Sequence, residues 1–291
     1  NGKATLGNLT AAAIDVVAND LDFSGAVTAP TIQIESRLGA LRVGGSAPDG
    51  AFSGLWLDNA EFGRLKASGE VKLYAGPVLG TVRGDLTMLA LNVNPASTPV
   101  VTLLASSTNN VLVQGVAAPT ASGGALRIGD PVLPAWRPNS ILVTGSIGSA
   151  TFSGGAYSGI RAFDDVRLRA TNDILMGSQR FITLIQATAV GDIDLGAGKP
   201  AGVGPAAGEQ LHLFTVAGKL EVSASGKVIQ QNSGLTLSSP VGVLINSKGS
   251  PDLLIDPPQT VQLFGAVIGL DGKLVSSFGA SNVVTVAVVD S

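Results

Sequence analysis

The stretch "IRAFDDVRLRATND" (160–173) carries Arg161, Asp164, Asp165, Arg167, Arg169 and Asp173 within fourteen residues. Adjacent carboxylates beside guanidinium groups are the equipment of a polysaccharide lyase or hydrolase, one carboxyl donating a proton and the other acting as base. If Val166 and Leu168 face a core, strand alternation turns Arg167 and Arg169 outward, the side a surface site needs. The same charges on an exposed strand face also pair with one another and keep the surface soluble. Pairing is the reading we take. Asp164, Asp165 and Arg167 remain the catalytic candidates of the alternative function.

Other chemical signals are thin. His212 is the only histidine and sits in "LHLF", a strand-like run. A Ser-His-Asp arrangement would need a partner serine, and no G-x-S-x-G elbow occurs. One imidazole and no cysteine leave no pattern for a zinc site, and no Asp-rich calcium loop appears. "GAGKPA" (196–201) imitates a dinucleotide-binding glycine loop, but Pro200, Gly202, Gly204 and Pro205 forbid the helix that must follow. No cofactor or metal is expected. Arg83-Gly84-Asp85 spells the tripeptide that can engage integrins from a loop tip, yet Asp85 leads straight into strand-like "LTMLALNV", so a corner is the expected role. Trp56, flanked by Leu55 and Leu57, should point outward. With Tyr74, Trp136 and Tyr157 it could stack on sugars.

Composition narrows the partners. Charged residues make up 13% of 291, net charge is −3, and no block of like charge stands out. Nucleic-acid binding needs clustered Lys and Arg with stacking aromatics, so it is not expected. The apolar runs are far shorter than the roughly 20 residues of a membrane-spanning helix. The start, "NGKATLGNLT", lacks the basic and apolar regions of a signal peptide, so the chain is expected to be a segment of a longer protein.

What must position any site is a series of short strands. "LDF" (21–23), "IQI" (32–34), "LRV" (41–43), "LWL" (55–57), "VKL" (71–73), "VRLRA" (166–170), "DIDL" (192–195) and "VQLF" (261–264) alternate with period two between Gly, Asn, Asp, Ser and Pro. Asn-Gly and Asp-Gly pairs, the signature of two-residue hairpins, are rare. Most corners are small residues that bend a strand without reversing it. In "KLEVSASGKVIQQNSGLTLSSPVGVLI" (219–245), Leu220, Val222 and Ala224 return 21 positions later as Val241, Val243 and Ile245. "VRLRATNDILMG" (166–177) also lies on "LEVSASGKVIQQ" (220–231) without a gap, Leu168 on Val222 and Ile174 on Val228. Self-similarity of this length marks a solenoid. The expected fold is all-β, a right-handed parallel β-helix of about 20–21 residues per rung. We divide it into a shaft (1–248) and a C-terminal β segment (249–291), either a cap or a continuation.

The runs "VRLRATNDILMG", "GDIDLGAG" and "KLEVSASGKVIQQ" resemble the repeats of filamentous-haemagglutinin-like bacterial exoproteins. The pattern L-x-V-x-A-x-G-x-I is carried by Leu220, Val222, Ala224, Gly226 and Val228. The N-P-N-type motifs of that family's secretion domain are missing; "NVNP" (92–95) is not a match. The resemblance implies a shaft segment of a large adhesin, outside the cell and exported by two-partner secretion through an outer-membrane partner. It implies a non-enzymatic fibre that associates with itself or with neighbouring segments, and contacts surface glycans or host cells. The alternative is a β-helical polysaccharide lyase or hydrolase acting on an extracellular glycan.

Overall fold

Three-residue strands with a buried, half-buried, buried beat are the repeating unit, as in Leu41–Val43, Leu86–Met88, Val111–Val113, Ile141–Val143 and Ile174–Met176. Each of these five strands is paired on both sides. The computed structural model describes residues 4–46, 52–115, 121, 123–147, 151–153, 156–158 and 163–176, then Ser225 and the strand residues between 180 and 287. These form an 11-stranded sheet, a 10-stranded sheet and a 5-stranded sheet, with two two-stranded pairs beside them. Among the described residues every pairing is parallel except Thr151–Ser153 with Ala156–Ser158. The expected all-β character is therefore observed.

Strands alternate between sheets along the chain. From Val27–Ser36 to Ile141–Val143 the chain visits mainly the 11-stranded sheet and then the 10-stranded sheet. From Phe163–Ala170 onward each cycle adds a third strand, starting with Arg180–Thr183 in the 5-stranded sheet. Strands of 253–287 continue all three sheets in the same parallel sense.

Aliphatic ladders join the cycles. In the 11-stranded sheet Ile14, Ile32, Val71, Val101, Leu126 and Val166 are successive register partners, all buried. In the 10-stranded sheet Leu41, Leu86, Val111, Ile141, Ile174, Ile193 and Val228 follow one another, each fully buried. The inner faces merge in one core running from Ile14 to Ile245. Each such side chain contributes roughly 1.5–3 kcal/mol by leaving water.

Register corrects two sequence expectations. Leu220 pairs with Val243, where the pattern suggested Val241, and Val222 pairs with Ile245. The slip is an even number of positions, so the same residues stay inward. The interval is also uneven. Ile14 meets Ile32 after a short circuit, whereas Leu126 meets Val166 only after a much longer one. Strand positions hold the pairing while corners between them lengthen freely. The gapless match of 166–177 to 220–231 is structural, but one strand lies between: Leu168 pairs with Ala187 and Ala187 with Val222.

Among the described residues two short elements lie outside the strand reading, and one of them is the 3-10 turn Pro134–Trp136. Asn59–Phe62 is a single helical turn set by a reciprocal cap. Glu61 N donates to Asp58 Oδ1 (2.8 Å) and Asp58 N to Glu61 Oε2 (3.0 Å), the D-x-x-E signature of a capping box.

Candidate functional site

Strand Phe163–Ala170 places Val166 and Leu168 in the core and turns Asp165, Arg167 and Arg169 outward, as alternation requires. Arg167 Nε donates to Asp165 Oδ1 at 2.7 Å. That bond raises the Arg167 pKa above its ordinary value, against a smaller opposing effect of burial. Asp164 is half-buried and has a partner of its own. Asp173 follows the strand and is likewise engaged, while Arg161 lies outside the described residues. The cluster is thus an ion-paired face, and Asp165 is held by the neighbouring guanidinium.

Register brings in arginines that the sequence kept apart. Arg127 pairs directly with Arg167 on the adjacent strand. Arg169 Nη2 donates to Gln186 Oε1 at 2.7 Å across the next pairing. Arg137 comes from the loop after Gly124–Ile128, where its guanidinium donates to the Asp130 and Pro131 carbonyls. Thr171 holds that loop to the strand end by donating to the Arg137 carbonyl (3.0 Å). Burial lowers the Arg169 pKa, and Arg167, Arg137 and Arg127 push it the same way. Three guanidinium groups therefore lie outward on adjacent strands, and Arg137, from the loop, adds its charge to theirs.

The four candidate aromatics do not form one platform. Trp56 is half-buried on the 10-stranded sheet, its Nε1 donating to Gly44 O (2.9 Å), with Phe52 edge-on and Arg42 over both rings. Tyr74 and Trp136 meet edge-to-face at 4.9 Å between centroids, and with Leu104 form a small cluster separate from the main core. Only 8% of Tyr74 and 7% of Trp136 is exposed. Tyr157 pairs by backbone with Phe152, and its side chain lies outside the described residues. His212 occupies a register position between Phe181 and Thr236, its side chain also outside them. The loop 196–201 lies outside them too.

The Arg-Gly-Asp sequence is a corner. Arg83 donates to the Pro77 carbonyl (2.6 Å) and lies over Trp136, 4.5 Å from the ring centroid. Asp85 accepts from the Asn110 backbone at 2.8 Å. A side chain on Gly84 would run into the Gly39–Ala40 backbone of the preceding corner. Stacked corners leave room there for hydrogen alone.

Tyr74 offers a test of its surroundings. Burial, then the carboxylates of Asp130, Glu35, Glu70 and Asp15, push its pKa up to about 12. The unfolded tyrosine titrates near pH 10. The fold thus favours the protonated phenol, so this contribution is complete below about pH 10 and is lost as pH rises towards about 12. We expect a tyrosinate absorbance step near the upper value that disappears in Tyr74→Phe. A step near pH 10 that disappears in Tyr74→Phe, leaving only that of Tyr157, would mean the cluster with Trp136 is not closed.

A hollow of about 520 Å³ lies between the helical turn and the loop 92–98. Its polar lining is turned to the backbone. Asn59 Nδ2 donates to Ala90 O, Asn59 Oδ1 accepts from Asn92 N, Thr98 Oγ1 donates to Leu65 O and Lys66 Nζ to Gly63 O. Among the described residues no group of three or more His, Asp or Glu could hold a metal ion, and no helix is long and apolar enough to cross a membrane. No protein-family model, no characterised protein and no solved structure matches the chain.

Proposed function

We propose that the chain is a segment of a right-handed parallel β-helix, and that it serves as a non-enzymatic structural and adhesive fibre of a bacterial surface protein, outside the cell. The carrying observation is the pair of long parallel sheets whose strands alternate along the chain and stack in register. Such stacking needs no disulfides, and the chain has no cysteine. Backbone hydrogen bonds and apolar ladders repeat from cycle to cycle, which stiffens the chain along the stacking direction. The charged stretch 160–173, which would serve a glycan-cleaving enzyme, holds Asp165 in an ion pair.

Electron microscopy of the native material tests the reading. Fibres on cells labelled by antibody against this chain are expected, whereas discrete soluble monomers would overturn it. The enzyme reading makes a separate prediction: cleavage of an extracellular glycan that is lost in Asp164→Asn with Asp165→Asn. We expect no cleavage by the unaltered chain.

A further inference from the structure

The outward row of the 11-stranded sheet runs Lys72, Thr102, Arg127, Arg167, Gln186, Glu221 in successive register. At its centre two arginines stand directly opposite each other, an arrangement that destabilises a sheet unless an anion intervenes. Lys72 is paired with Glu70 at 3.6 Å, and Thr102 also donates to Glu70. Arg167 is held by Asp165. Arg127 makes no hydrogen bond or ion pair among the described residues, and its pairing neighbours are Thr102 and Arg167. Asp130, the nearest loop carboxylate in sequence, already accepts from the Val132 and Leu133 backbones at 2.8 Å each. The face therefore presents Arg127, Arg167 and Arg169, with Arg137 from the loop, beside two carboxylates, Asp164 and Asp165, that are themselves engaged.

We infer that this arginine face binds an acidic polysaccharide, a polymer of uronate sugars laid along the stacking direction across strands Gly124–Ile128 and Phe163–Ala170. Guanidinium forks match planar carboxylates with two parallel hydrogen bonds. Neighbouring strands lie about 4.8 Å apart, so a chain running across them meets Arg127 and Arg167 in turn. Arg169 and Arg137 flank the same path. The inference names a partner for the adhesive reading, yet it concerns a face that a single soluble copy would also carry. Failure of one leaves the other standing.

The test is binding of the full chain to polygalacturonate, with neutral dextran and dextran sulfate as the other probes, at low and raised salt. Retention on polygalacturonate that weakens with salt is expected, with no retention on dextran. Arg127→Gln should weaken it about tenfold, the loss of one charge-assisted contact, and leave the melting temperature unchanged or slightly raised, because Arg127 makes no hydrogen bond or ion pair among the described residues and faces a like charge. Lys66→Gln, which removes one positive charge elsewhere on the same sheet, should change binding less than twofold. Binding to dextran sulfate alone, or equal losses in the two variants, would overturn the inference.

Discussion

Leu126→Asp is expected to yield no folded chain. Leu126 is fully buried between Val101 and Val166, its partners on the two flanking strands. A carboxylate there loses its water and gains no partner, a penalty of several kcal/mol. Whole domains are stable by about 5–15 kcal/mol. Because each strand is a template for the next, the damage passes to both neighbours. Leu126→Ala grades the effect: it should fold and be destabilised by about 2–5 kcal/mol, measured as a shift of the denaturant midpoint. Arg127→Gln, one residue away and outward, should shift it by less than about 0.5 kcal/mol. A cooperative transition preserved in Leu126→Asp would contradict the stacked core.

The second large effect falls at Gly129. Its φ is +81°, and its N–H donates to Leu103 O at 3.1 Å. An added Cβ would run into the Arg169 carbonyl and press on Pro138. Gly129→Ala therefore combines backbone strain of about 1–3 kcal/mol with forced separation of adjacent strands. Gly123→Ala isolates the first part, since Gly123 also has positive φ (+117°) but nothing within 4 Å of the added carbon. We expect the melting temperature to fall clearly further in Gly129→Ala than in Gly123→Ala. The loop that carries Trp136 starts beside Gly129, so the titration of Tyr74 should also drop from about 12 towards the ordinary value. Equal losses in the two variants would mean the strands are not in contact there.

These two sites separate what the sequence makes legible from what it hides. Alternation is local, so the inward faces of Leu41–Val43 and of Val166 and Leu168 can be read from a few residues. A return from Leu220 to Val243 looks the same as one to Val241, because both keep apolar residues inward. The strand between 168 and 222 escapes notice because Ala187 and Ala189 bury little surface and leave a faint pattern. Arg127 and Arg167 are pairing partners far apart in sequence, and no spacing rule predicts it. Likewise Tyr74 and Trp136, read as possible sugar-stacking surfaces, have their rings packed against each other by a contact between distant segments. Asp58 and Glu61 are the exception: their three-residue spacing does announce a helical turn.

The stacked parallel register is the claim on which the rest depends, and disulfide trapping reads it directly because the chain contains no cysteine. Glu221 and Leu244 are register partners on the outer face. Bridgeable cysteines have Cα atoms usually about 4.4–6.8 Å apart, which direct partners satisfy and diagonal neighbours at about 7–8 Å do not. The chain with Glu221→Cys and Leu244→Cys is expected to oxidise to an intramolecular disulfide under mild conditions. Glu221→Cys with Gly242→Cys should stay reduced. Preferential closure of the 221–242 pair, or of neither, would contradict the account.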